Sequence, residues 1–251
     1  MARRQEPSQA DQTLQEIEEG FDRLAAFVVR NRVALAAGVV AVLVVALGAD
    51  LLRSHRERSN EAGAQALAEV RNEYLLAMGA QPGDLLVAEP ANPEVGRKAR
   101  ETFVQRFETV GKEHAGTSAA ALALLEAGNL HGELGAPHLA RDAWQAGLDS
   151  AGSGTALEAL LRERVARADE DAGEWASAAA GYERAGRIQT YPGRWQALAS
   201  AARCRLEAGE PDAAVALLAE LEAANVLDRV PAHAVARLRE LRVRRELGRD
   251  R

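Results

Sequence analysis

The sequence predicts an all-α protein: an N-terminal single transmembrane helix followed by a stack of helix pairs in an α-solenoid. Three observations carry that expectation. Val33 to Ala49 is a run of seventeen residues without a charge or strong polar group. Beyond it, apolar residues recur at spacings of three and four, the period of a helix face and not of a strand. Finally, Gly135, Gly173, Gly209 and Gly248 recur at intervals of 38, 36 and 39 residues, each closing a helical stretch, as structural repeats do.

Residues 1–32 form a tail. Leu14, Ile17, Phe21, Leu24 and Val28 make one stripe of an amphipathic helix, and Glu16, Glu18, Glu19 and Asp22 fall mostly off it. Interfacial membrane helices usually carry basic residues, so this acidic face leans toward a protein contact. Residues 33–52 follow as the span, interrupted only by Asp50. Twenty helical residues cover about 30 Å, the thickness of a hydrocarbon core, so this segment contacts membrane lipid. A cleaved secretory signal is the rival reading, with Leu47-Gly48-Ala49 as its cleavage site. A signal peptide has a short basic leader and a shorter apolar run; here the leader is long and acid-rich. Five basic residues precede the span and four follow it closely (Arg53, Arg56, Arg58, Arg71), so charge does not fix the orientation.

Residues 53–117 are expected as linker helices and a variable loop. Arg53 to Met78 reads as a helix with Ala66, Leu67, Val70, Tyr74 and Leu75 in its apolar half. Gly79 to Gly96 contains Pro82, Gly83, Pro90 and Pro93 and reads as a loop. A second helix then carries Ala99, Phe103, Phe107 and Val110 on one face.

Residues 118–251 hold the repeats. Five positions after the first three glycines stand Ala140, Ala178 and Ala214; nine positions after them stand Trp144, Tyr182 and Leu218. Seven positions before the four glycines are Gly128, Ala166, Ala202 and Leu241. The register is steric. Small residues let antiparallel helices approach, a large one fills the groove, and glycine permits the turn. Pro137 and Pro211 fall near the start of second helices, where a missing donor matters little. This pattern resembles the tetratricopeptide repeat, with three units from about Ser118 to Val226 and a capping helix from Pro231 to Leu247.

The layout as a whole is similar to the YfgM-type family: acidic amphipathic tail, one span, a helix, a variable loop, a helix ending before Gly116-Thr117-Ser118-Ala119-Ala120-Ala121-Leu122-Ala123, then repeats. The resemblance implies an ancillary subunit of the bacterial Sec translocon in the inner membrane. It also implies a cytoplasmic tail, a periplasmic repeat domain, and as partners the translocon and a membrane-anchored periplasmic chaperone.

Composition narrows the alternatives. Residues 53–228 hold 18 basic and 27 acidic residues, whereas residues 229–251 hold 8 and 3. An acidic body disfavours nucleic acid, which needs a basic surface. Cys204 is the only cysteine, so no intrachain disulfide forms. No Gly-rich phosphate loop, HExxH or cysteine pair is present, so neither cofactor, metal nor small-molecule substrate is expected. The histidines are scattered; His131 and His138 straddle Gly135 and read as a surface pair.

The expected site is therefore a binding surface and not a catalytic one. The first helix of each pair should line a concave face. Six residues before each glycine, the column Asn129, Arg167, Arg203 and Arg242 would point into it. Three guanidiniums in a row can hold a carboxylate or acidic segment, although Glu163, Glu170 and Glu207 stand close enough in sequence to neutralise them. The leading expectation is a non-catalytic, membrane-anchored scaffold beside the Sec translocon, binding a periplasmic chaperone or emerging secreted chains. A structural adaptor in cell division or outer-membrane biogenesis is the alternative, and a regulator facing the cytoplasm a third.

Overall fold

The computed structural model describes Ser54, residues 57–81 and 89–230, and then Ala232, Val235, Ala236, Arg239, Glu240, Arg242 and Val243. The chain divides into two compact units, Met1–Arg56 and Glu57–Arg251, and the second is described below. The tail 1–32, the predicted span 33–52 and Gly248 lie outside the described residues. Among those described, all regular structure is helical, and no helix is long and apolar enough to cross a membrane.

Helix α1 covers residues 57–77. It places Leu67, Val70 and Tyr74 on one stripe, continued by Met78 in the turn that follows, against Phe103, Val104 and Phe107 of α2 (Pro93–Glu113). The Tyr74 ring lies 5.5 Å from Phe103 and 6.2 Å from Phe107, centroid to centroid, distances at which tilted and edge-on aromatic pairs attract. The expected loop ends earlier than its prolines suggested. Asn92 caps α2, its side chain accepting from the Glu94 N–H at 3.0 Å, and Pro93 occupies the first turn, where no donor is needed. Gly96, read as loop, is a buried helical residue.

The three predicted pairs follow: α3 (Ser118–Glu133) with α4 (Pro137–Ser150), α5 (Ala156–Asp171) with α6 (Trp175–Gly186), and α7 (Arg194–Glu207) with α8 (Pro211–Ala223). Thr117 and Thr155 cap α3 and α5 through their hydroxyls. Each helix packs on its neighbours in sequence from α2 to α8, a layered arrangement consistent with an α-solenoid. A 3-10 turn, Leu227–Arg229, follows α8.

One turn is used repeatedly. Gly135, Gly173 and Gly209 have φ of 75°, 80° and 78°, a left-handed conformation that only glycine adopts freely. At each, the next residue's N–H closes back on the helix: Ala136 to His131 O (2.9 Å), Glu174 to Asp169 O (2.8 Å) and Glu210 to Arg205 O (2.8 Å). These six-to-one bonds satisfy carbonyls that the helix end leaves open. Gly79 (φ 90°) ends α1 in the same way, with Ala80 N bonding Leu75 O at 3.0 Å. The segment expected as linker is thus a full layer of the stack: α1 and α2 share one core with Ala123, Ala127 and Leu130 of α3.

The steric register also sets the packing. Ala140, Ala178, Ala214, Tyr182 and Leu218 are buried. Gly128 faces the Trp144 indole, and a β-carbon added at Gly181 would sit 2.8 Å from the Ala166 Cβ. Trp144 itself is half-buried, packed with Leu125 and Leu161, and its Nε1 donates to Leu125 O at 3.2 Å.

Candidate functional site

Of the first helices, α3 and α5 face a groove and α7 contributes nothing to its wall. Between α1 and α3, with contributions from α2, α4 and α5, lies an open cavity of about 970 Å³ whose wall includes Tyr74, Arg100, Asn129, Glu133, Trp144 and Arg164. On α3, Glu126, Asn129 and Glu133 face it at spacings of three and four, one helical stripe. Arg100 is held from two sides: its Nε donates to Glu133 at 2.5 Å and its Nη1 and Nη2 to Glu89. Those bonds hold the Glu89 carboxyl below its ordinary range, while burial raises the Tyr74 hydroxyl. Glu126 accepts from Arg71 of α1 at 2.8 Å. All three lining carboxylates therefore already hold a guanidinium. Among the described residues Arg164 has no carboxylate partner, and its buried Nε has no hydrogen-bond acceptor.

Of the predicted column, only Asn129 lines this groove. Arg167 is exposed. Arg203 makes a two-pronged ion pair with Glu170 of the preceding repeat, both contacts at 2.7 Å. Arg242 pairs with Glu222 at 2.7 Å. Glu170 also accepts from the Tyr182 hydroxyl at 3.0 Å, with the Cys204 sulfur 3.7 Å away. Burial alone would raise the Glu170 carboxyl, but the Arg203 and Tyr182 bonds outweigh it and the net shift is downward. Burial pushes the Cys204 thiol up to about 12, far from the thiolate form that reacts. Reversing Arg203 would thus set two carboxylates together in a half-buried spot, so such a change is not a neutral surface probe.

Sequence reasoning missed Arg164. The available signal was its register, nine residues before Gly173, matching Glu126 nine before Gly135. His131 corrects a second expectation. It is buried, with Nε2 2.9 Å from Glu108 Oε1 of α2, and it does not face the exposed His138 as a surface pair. Among the described residues no cluster of His, Cys, Asp and Glu could hold a metal ion. Buried Asp169 accepts from Arg141 at 2.6 Å and from Ser177 at 2.8 Å, tying α4, α5 and α6 together.

No family model matches the chain, and no curated protein matches it. The chemistry of the site rests on its own geometry. An aromatic wall, an amide and a guanidinium that has no ion pair among the described residues can bind an extended chain by stacking and hydrogen bonding.

Proposed function

We propose that this protein is a non-catalytic, membrane-anchored repeat scaffold acting beside the Sec translocon, where its groove holds a segment of a periplasmic chaperone or of an emerging secreted chain. One observation carries the binding half of this reading: the groove on the α1–α3 side, open to solvent and lined by Trp144, Asn129 and Arg164. Helix-pair stacks present extended concave surfaces of this kind to partner chains. The apolar run at 33–52 supports the anchor, and the layout of tail, span, loop and repeats supports the place beside the translocon with the repeats in the periplasm.

The test is photocrosslinking in intact cells from an unnatural residue at position 129, followed by mass spectrometry of the adducts. Translocon subunits, a periplasmic chaperone or nascent secreted chains are expected. Adducts to cell-division or outer-membrane assembly factors would replace this reading with the adaptor alternative. Protease added to spheroplasts should remove the repeats; their protection beside a digested periplasmic control would overturn the topology.

A further inference from the structure

Two chemically different cavities lie on the α1–α3 side, and one ion pair joins their walls. The second, nearer the start of α1 and α3, is an apolar cavity of about 500 Å³ walled by Ala64, Leu67, Ala68, Ala119 and Leu122. Arg71 lines this apolar cavity, while its partner Glu126 lines the polar one. Leu122 is 39% exposed, an aliphatic side chain half open to water in a concave site. The polar cavity offers the Asn129 amide and the Arg164 guanidinium, neither of them bonded to a carboxylate among the described residues, while every carboxylate on its wall is taken by Arg100 or Arg71. The unfilled demand in that cavity is for an anion.

We infer that the α1–α3 groove reads an extended segment in which a large aliphatic residue stands three positions from a carboxylate. The aliphatic side chain enters the apolar cavity beside Leu122, and the carboxylate meets Asn129 and Arg164. The spacing follows from the helix. Leu122 and Asn129 are seven residues apart on α3, about 10 Å along its axis at 1.5 Å per residue, and a partner chain in the polyproline II conformation, three residues per turn at about 3.1 Å each, covers that distance in about three residues with both side chains on one side. The carboxylate fits the charge: guanidinium and amide donors bind it bidentately, and Arg164 lines the cavity without an ion pair among the described residues. This inference rests on the groove being the partner-binding surface and adds the chemistry of what enters it.

The experiment measures fluorescence anisotropy with full-length protein in lipid nanodiscs and a fluorescein-labelled, C-terminally amidated peptide of serines carrying leucine at one position and glutamate three residues later. Its companions replace glutamate by glutamine, replace leucine by serine, move the glutamate to the position next to leucine, or end in a free carboxylate three residues after leucine in place of the glutamate. Each of the first three should bind at least fivefold more weakly. The last should bind like the parent if a chain terminus serves, or fivefold more weakly if only a side chain does; in both cases the carboxylate stays the recognised group. In the protein, Leu122→Gln and Arg164→Gln should each weaken the parent peptide about tenfold. Arg164→Gln should also erase the difference between the glutamate and glutamine peptides, a coupling that a misfolded variant would not produce selectively. Unchanged melting by circular dichroism checks the fold.

Absence of binding by wild-type protein at millimolar peptide overturns the inference. So does equal binding of the glutamate and glutamine peptides, or self-association of the chain that Leu122→Gln abolishes, which would make a second copy the occupant. If the peptides fail while crosslinks from position 129 still capture partners, the binding surface stands and only this two-part chemistry falls.

Discussion

Gly128→Ala is the sharpest probe of how the stack is held together. A β-carbon at this position would lie 2.7 Å from the Trp144 Cε2 and closer still to Nε1 and Cδ1, all below van der Waals contact. The helix itself would welcome alanine, which is favoured over glycine by about 1 kcal/mol in a helix interior. Against that, overpacking costs about 1–3 kcal/mol, and moving the indole breaks its bond to Leu125 O, about 1 kcal/mol more. The net expectation is a loss of about 1–3 kcal/mol. In a Trp144→Ala background the obstacle is gone, and the same substitution should turn neutral or stabilising by up to about 1 kcal/mol. The difference, a coupling of about 1–4 kcal/mol, is the signature of direct contact. Urea unfolding followed by circular dichroism on a soluble fragment, residues 57–251, measures all four variants. If Gly128→Ala destabilises equally with and without the tryptophan, the two do not touch and the proposed packing of α3 on α4 is wrong.

Other outcomes follow from the same structure. A fragment starting at residue 97 should unfold at clearly lower urea than residues 57–251, because it strips Leu67, Val70, Tyr74 and Met78 from Phe103 and Phe107, each worth about 1.5–3 kcal/mol of burial; equal midpoints would show α1 to be dispensable. Cys204 is fully buried and its thiol is raised by that burial, so maleimide labelling should be negligible in native protein and complete in urea. The Glu170 carboxyl sits below its ordinary range in the folded chain. Its stabilisation is therefore present above the unfolded value and lost as pH falls through the folded one; Glu170→Gln should flatten that part of the acid-unfolding curve below about pH 4.5, and an unchanged slope would count against it.

The turns and the contacts within each pair were legible in the sequence because their causes are local. A left-handed residue after a helix calls for glycine, so Gly135, Gly173 and Gly209 announced themselves, and the small residues seven before and five after follow from how closely two helices can approach. The first layer was harder to see. Pro93 looks like a breaker until it is known to fall in the first turn of a helix, where it costs nothing. Gly79 closes α1 with the same bond as the later turns, but it stands 56 residues before Gly135, so the repeat interval hides it. Of the four column residues, one falls on the cavity wall. Asn129 was placed on the groove by register alone, whereas the fate of the arginines was not, since Arg203 meets Glu170 across 33 residues and no local pattern reports such a pairing.

In a chain whose basic residues are nearly all arginine, register is a poor guide to which cation binds a partner; the lack of an internal partner is a better one. Arg141, Arg187 and Arg203 stitch one repeat to the next through Asp169, Glu220 and Glu170. Arg164 makes no ion pair among the described residues. The two classes should separate cleanly on neutralisation. Arg203→Gln leaves Glu170 with only Tyr182 as a strong donor in a site where the arginine is 27% exposed, which should cost about 1–3 kcal/mol of stability and leave peptide capture in the α1–α3 groove unchanged. Arg164→Gln removes a buried donor that has no acceptor, so stability should hold or rise slightly while capture of an acidic segment falls. Urea midpoints and anisotropy on the two variants decide the matter, and a result in which Arg164→Gln unfolds the stack while Arg203→Gln abolishes capture would reverse the assignment of scaffold and site.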